Sequence, residues 1–192
     1  MKYNQLSDIQ YNTDCYSIVP IRESDMMMIK EWRNEQMDVL RQSKPLTDED
    51  QKRYFDGPVR ASFEQPHPRI MLFSYLLDDR LIGYGGLTNL DWSNKRAEIS
   101  YLLETSRSSE TNREQYTADF SSFLTLMKRI AFEELDLNRL FTETFDIRPL
   151  HIAILEHNGF HYEGRMRQHV HMNGQYIDSL LHGCLVEEYD HV

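Results

Sequence analysis

The stretch Ala97–Glu104, AEISYLLE, alternates core side chains with polar ones at a period of two. Ala97, Ile99, Tyr101 and Leu103 fall on one face of an extended chain. Glu98, Ser100, Leu102 and Glu104 fall on the other. The period marks a strand. Its second face is either wet, with Glu98 paired to Lys95 or Arg96, or it lines a cleft in which Glu98 works.

On the N-terminal side, Ile70–Leu77 is a continuous apolar run that fits a buried strand. Asp78-Asp79 turns it into RLIGYGGL (80–87), and Asn94-Lys95 turns again into AEISYLLE, as in an antiparallel meander. Further upstream, Tyr16–Ile21 is a short strand. Asp25 stands where it could cap a helix through MMMIKEWRN, and Thr47 precedes acids in a first helical turn. Pro58, Pro66 and Pro68 predict a loop.

On the C-terminal side, Phe120, Phe123, Leu124, Met127, Ile130, Ala131 and Leu135 recur at helical spacing. RLFTETF (139–145) alternates as a strand, and Pro149 opens a helix that Asn158-Gly159 closes. Two last strands flank Asn173-Gly174, a strong hairpin signal. The order β-α-α-β-β-β-α-β-α-β-β predicts an α+β (mixed α/β) fold. Residues 1–14 read as a polar lead-in and 15–192 as a single domain.

The 192 residues suffice for one well-buried core. A net charge of −10 argues against nucleic acid, whose binding depends on neutralised phosphates. Cys15 and Cys184 are the only cysteines and form no disulfide framework. MKYNQLSDIQYNTD has no apolar signal-peptide region, and no run of residues is long and apolar enough to span a bilayer. The expectation is a cytoplasmic protein without a membrane partner.

Several words of the sequence, taken in order, carry a resemblance. They are Ile21-Arg22-x-x-Asp25, Trp32-Arg33-Asn34, RLIGYGGL, AEISYLLE, AFEELDLNRL (131–140), LEHNGF (155–160) and EGRMR (163–167). From about Tyr16 onward the chain resembles the GNAT superfamily of N-acetyltransferases. It is most similar to the branch of ribosomal-protein alanine acetyltransferases and amino-sugar-nucleotide acetyltransferases. The resemblance implies a mostly antiparallel sheet of six or seven strands with splayed middle strands and about four helices. It implies acetyl-CoA as donor, no metal, and direct attack by a primary amine.

In such folds the strand matching AEISYLLE parts from the one matching RLFTETF. Backbone groups near Leu102 and Leu103 then pair with the donor's pantetheine arm, and one amide can face the thioester oxygen. Glu98 matches a position that carries a general base in several members, its pKa raised by burial. The pyrophosphate loop maps to Gln115, Tyr116, Thr117, Ala118, Asp119 and Phe120. Here the sequence departs from the pattern. Ala118 stands where Gly is usual, Phe120 replaces a small residue, and Asp119 adds a negative charge. No glycine occurs between Gly86 and Gly159. Thr111-x-x-Glu114 offers a capping box that would start the helix early. Arg148 replaces an Asn and either reaches a donor phosphate or sits on a helix surface. Leu155 replaces the family's frequent Tyr acid, for which Tyr116 and Tyr101 are the possible substitutes.

For the acceptor, Arg33 on the first helix edges the cleft. Arg165, Arg167, His169 and His171 alternate along one strand as a basic row that is either a solvated face or a site for a diphosphate. His169-x-His171 lacks further metal ligands. Three functions compete: acetylation of a small amine such as a nucleotide-linked amino sugar, acetylation of protein N-termini, and a non-catalytic module that keeps the fold with a degenerate donor loop. The edge strands of the final hairpin leave a homodimer open.

Overall fold

Tight turns made of residues that tolerate a left-handed backbone set the sheet. Asp78 and Asp79 (φ 47 and 64) join β3 (Met71–Leu77) to β4 (Arg80–Asp91), and Asn173 and Gly174 (φ 50 and 79) join β7 (His161–Met172) to β8 (Gln175–Leu185). Two positive-φ residues in sequence match the right-handed twist of the flanking strands. The computed structural model describes residues 1–108 and 112–189. With β1 (Tyr11–Thr13), β2 (Tyr16–Pro20), β5 (Arg96–Leu103) and β6 (Arg139–Phe145), the described residues form one eight-stranded sheet in the order β1-β2-β3-β4-β5-β6-β8-β7. Every pairing is antiparallel except β5 with β6.

The strand beyond the expected six or seven is β1, which lies inside the supposed lead-in. Tyr3, Leu6 and Tyr11 are buried there. The Tyr3 hydroxyl donates to the Leu72 carbonyl and accepts from the Leu72 amide. These three apolar bodies, spaced among polar residues with no clear period, cover an end of the core that the rest of the chain leaves open.

Helix α1 (Met26–Glu35) begins at Asp25, but the Asp25 carboxylate does not cap it. It accepts instead from Arg22 Nε (2.7 Å) and Ser74 Oγ (2.7 Å), which ties the helix start to the sheet. Thr47 does cap α2 (Asp48–Tyr54), in a reciprocal box with Asp50. The loop expected from Pro58 is helical. A π turn (Phe55–Val59) carries Pro58 and runs straight into α3 (Arg60–Glu64). Burial of Phe55, Val59 and Phe63 on one side outweighs the hydrogen bond that proline removes.

Helix α4 (Arg113–Arg129) packs on β1 and β2, and its Phe120 and Phe123 rings reach Tyr101 of β5 and Gly85 of β4. Gly85 makes that approach possible. A Cβ there would stand 2.2 Å from the Ser100 carbonyl oxygen and 2.6 Å from the Phe123 ring. Helix α5 (Pro149–His157) packs beside α4 and ends at Gly159 (φ 81). No helix among the described residues is long and apolar enough to cross a membrane.

Candidate active site

The β5–β6 pairing is short. It joins Arg96 to Arg139, Ala97 to Leu140 and Glu98 to Phe141, and then it stops. Beyond it the two strands hold separate partners, β4 and β8, and a gap opens between them. A cavity of about 240 Å³ occupies this gap, walled by residues 98–101 of β5, residues 142–145 of β6, and Arg33, Arg41, Arg148 and His151.

Glu98 faces the cavity, 7% exposed, and is not paired with Lys95 or Arg96. Arg41 Nη2 donates to its Oε1 (2.5 Å) and Asn89 Nδ2 to its Oε2 (2.6 Å). The same Arg41 nitrogen reaches Glu143 Oε2 at 3.1 Å. Two carboxylates on neighbouring strands thus share one guanidinium supplied by the α1–α2 connection. Three buried polar atoms on the cavity wall have no hydrogen-bond partner: the Tyr101 hydroxyl, Thr142 Oγ1 and Glu143 Oε1. Buried polar atoms are normally satisfied, so orphans gathered in one cavity indicate a polar ligand.

Leu102 and Leu103 play unlike parts. The Glu104 amide donates to the Ile82 carbonyl, so strand alternation turns the backbone of Leu102 toward β4 as well. The backbone groups of Leu103 and Tyr101 face the gap. Of these, the Leu103 carbonyl already accepts from Gln36 Nε2 (2.8 Å). Leu102, expected to pair with the donor, therefore faces β4, and the backbone of Tyr101 faces the gap instead.

The segment 115–120 is not a loop. Helix α4 has already begun at Arg113, so the amides from Thr117 on are taken up by helical hydrogen bonds. Asn112 makes no side-chain cap; Thr111, expected as a cap, lies outside the described residues. Thr117 Oγ1 bonds back to the Arg113 carbonyl, and Ala118 is exposed. Asp119 is fully buried but compensated, since Arg107 donates to both of its oxygens at 2.8 Å and the Tyr16 hydroxyl adds a third bond at 2.9 Å. Gln115 lies beside the same guanidinium: with its amide oxygen turned inward, Arg107 Nη1 donates to it at 2.7 Å. The charge that seemed hostile to a phosphate is spent inside the fold.

Phe120 and His151 line the gap, and Tyr116 lines the space beside it. The His151 ring stacks on Phe120 (4.1 Å between centroids), and Phe120 stacks on Tyr101 (4.5 Å). His151 Nδ1 shares a 2.7 Å hydrogen bond with the Tyr116 hydroxyl, which also accepts from Arg148 Nη2 at 3.0 Å. Burial, then the Arg148 and His182 charges, hold His151 well below the usual imidazole range. Burial raises the Tyr116 phenol despite Arg148. Arg148 and His151 separate the 240 Å³ cavity from a second one of about 390 Å³ that also reaches Thr105, Ser108 and Tyr116.

The strand edge at Tyr101 and Leu103, the orphaned Tyr101 hydroxyl and Arg148 are the groups that border the gap. The aromatic side chains fill room that small residues would leave at the helix start.

The basic row is not a row. A bulge between Met166 and Val170, with Gln168 at φ 52, breaks the alternation of β7. Arg165 is locked between Asp146 (2.5 Å) and Asp178 (2.7 Å), and Arg167 is exposed. His169 turns toward Glu143 (3.6 Å) and His171 against Tyr176. Neither Arg165 nor Arg167 lines the cavity, so the motive for a diphosphate acceptor falls away. Arg33 does line it, donating to Gln42 Oε1 (3.0 Å) and the Tyr84 hydroxyl (2.5 Å).

Arg41, Gln36, Glu143 and His151 were not singled out from the sequence. Glu143 carries the same signal as Glu98, a carboxylate inside an alternating strand. Arg41 belongs to a segment with no periodicity to read.

The family model described as acetyltransferase (GNAT) domain matches residues 18–181. The Bacillus subtilis (strain 168) protein named "Putative ribosomal N-acetyltransferase YdaF" is 31% identical over 115 residues, which are 60% of this chain and 59% of that protein. The chain thus spans 59% of the length of this curated relative. Among solved structures, the spermidine N-acetyltransferase from Vibrio cholerae in complex with CoA and spermine superposes with a TM-score of 0.78 at 14% identity, covering 92% of this chain and 98% of that one. A dodecameric structure of spermidine N-acetyltransferase from the same organism gives 0.72 at 16% identity, covering 92% and 97%. At these identities the likeness is one of fold.

Proposed function

The chain belongs to the GNAT acetyltransferase family, and on that premise we propose that it transfers an acetyl group from acetyl-CoA to a primary amine. The observation that carries this reading is the parting of β5 from β6 directly after Glu98 and Phe141, with Glu98 at the fork. When bound, acetyl-CoA supplies the acetyl group activated as a thioester. The backbone of Tyr101 and Leu103, the Tyr101 hydroxyl, the first-turn amides of α4 and Arg148 are the groups that would hold it.

Glu98 takes the proton that the amine must lose, directly or through one water. An α-amino group, with a pKa near 8, is largely protonated at neutral pH, so a carboxylate at this point has a proton to accept. Arg41 and Asn89 fix its two oxygens. Tyr116, joined to His151 and Arg148 beside the gap, is the phenol this reading assigns to the leaving group. It substitutes for the missing tyrosine at Leu155 in returning a proton to sulfur. A thiol with a pKa near 8.5 asks little of that acid.

A small amine is the acceptor favoured by the modest size of the cavity, about 240 Å³. Amines are named for the Vibrio cholerae enzymes, and a ribosomal substrate for the Bacillus subtilis relative. The β7 edge leaves room for a homodimer. Incubation with acetyl-CoA and an amine panel, following thiol release, tests the reaction. Amine-dependent thiol release that Glu98→Gln abolishes supports it, and no release with any amine speaks against it.

A second reading has its own support. Tyr116, Phe120 and His151 crowd the donor end, and Gln36 occupies the Leu103 carbonyl. A non-catalytic module on this fold would look the same. Acetyl-CoA binding separates the two.

A further inference from the structure

The 240 Å³ cavity holds an unusual imbalance. Arg33, half-buried at its rim, spends its donors on neutral oxygens alone, those of Gln42 and Tyr84. Among the described residues no carboxylate lies within ion-pair distance of it, although the chain carries a net charge of −10. Across the same cavity, Glu98 and Glu143 share the single guanidinium of Arg41, and Glu143 Oε1 is buried without a hydrogen-bond donor. His169 Nε2 stands 3.6 Å from that oxygen, beyond hydrogen-bond reach. One wall lacks an anion and the other lacks a donor. Arg33 also opens onto a second space of about 360 Å³ between α1, α2 and the sheet. Its floor is apolar, from Ile21, Ile29, Phe55 and Val59, with the Tyr54 and Tyr84 rings beside it. Asp50 on its lining is already held by Thr47 and Arg53.

Burying an unmatched charge is costly, and the matching group is then a ligand's. We propose that the acceptor is a small amine that also carries an oxyanion, carboxylate or phosphate. Its ammonium meets Glu98 and Glu143, its anion meets Arg33, and its body fills the 360 Å³ space. This rests on the transferase reading and deepens it by naming the acceptor class. It also excludes purely cationic polyamines as the best ligands.

The test reads binding alone, by calorimetry without acetyl-CoA, on paired probes. L-phenylalanine is set against phenethylamine, glucosamine 6-phosphate against glucosamine, and spermidine serves as the polyamine. One acid-bearing probe should bind at least about tenfold more tightly than its acid-free twin and than spermidine, in keeping with a charge-assisted bond. The pair that responds tells carboxylate from phosphate. Arg33→Met should erase the difference, Arg33→Lys should restore part of it, and Glu143→Gln should weaken the acid-bearing amine about tenfold. The proposal is overturned if spermidine or an acid-free twin binds as well, if neither acid-bearing probe binds, or if Arg33→Met binds like the wild type. Should Arg33→Met fail to fold, the paired probes on the wild-type chain decide by themselves. Turnover is no part of the readout, so absence of acetyl transfer would sink the enzymatic reading and leave the binding result in force.

Discussion

Glu98 is a buried carboxylate whose oxygens are held from two directions, by a loop arginine and a strand asparagine. Such fixing suits a group that must stand still while a proton arrives. Glu98→Gln keeps the shape and one accepting oxygen, sets an NH2 group against one of the two donors, and cannot take the proton. It is expected to lower kcat by about a hundredfold or more, with acetyl-CoA affinity unchanged. Equal kcat in both forms, followed across pH, would remove Glu98 from the reaction. His151 gives a stability prediction of its own. The fold holds it neutral, whereas the unfolded chain protonates it near pH 6.5. Below that pH the unfolded state binds the extra proton, so stability falls toward acid by up to about 1.4 kcal/mol per unit from this residue. Urea midpoints at pH 7 and pH 5 should differ more for the wild type than for His151→Phe, and equal differences would contradict the assignment. At this scale Glu98 was legible because strand alternation confines it to one of two faces. Arg41 and Gln36 were not, because residues 36–47 have no period that says where a side chain points.

Elements succeed or fail here on close approach and on turn chemistry. The hairpins at Asp78-Asp79 and Asn173-Gly174, the Thr47 cap and the Gly159 stop could all be read from residue types with local conformational preferences. The π turn at Pro58 and the bulge at Gln168 could not, since each is decided by what packs against it. The bulge misled most, because strict alternation across β7 is what made four basic residues look like one site. Gly85 lets β4 lie against both the Ser100 carbonyl of β5 and the Phe123 ring of α4. Gly85→Ala must displace either the Ser100 carbonyl or Phe123. It is expected to cost about 1–3 kcal/mol in urea unfolding, as overpacked cores do. A loss of only a few tenths would mean that α4 and β5 adjust freely at this contact.

Over the whole molecule, the first fourteen residues belong to the core rather than trailing from it. Deleting them would remove Tyr3, Leu6 and Tyr11, each contributing about 1.5–3 kcal/mol of burial. The melting temperature should drop by at least about 10 °C, and an unchanged value would show that the segment is dispensable. Strand order and helix order could be read along the chain, but this contribution could not, because three spaced aromatic and aliphatic residues leave no periodic trace. The charge imbalance around the gap is likewise a property of the assembled chain, since Arg33, Arg41, Glu98 and Glu143 come from separate elements. The transferase reading requires that acetyl-CoA enter between β5 and β6 despite Phe120. Calorimetric titration of the full chain with acetyl-CoA tests this most directly. One site per chain is expected, with a stability gain of about 2.7 kcal/mol at a hundred times the Kd. No heat and no stabilisation at millimolar acetyl-CoA would contradict it.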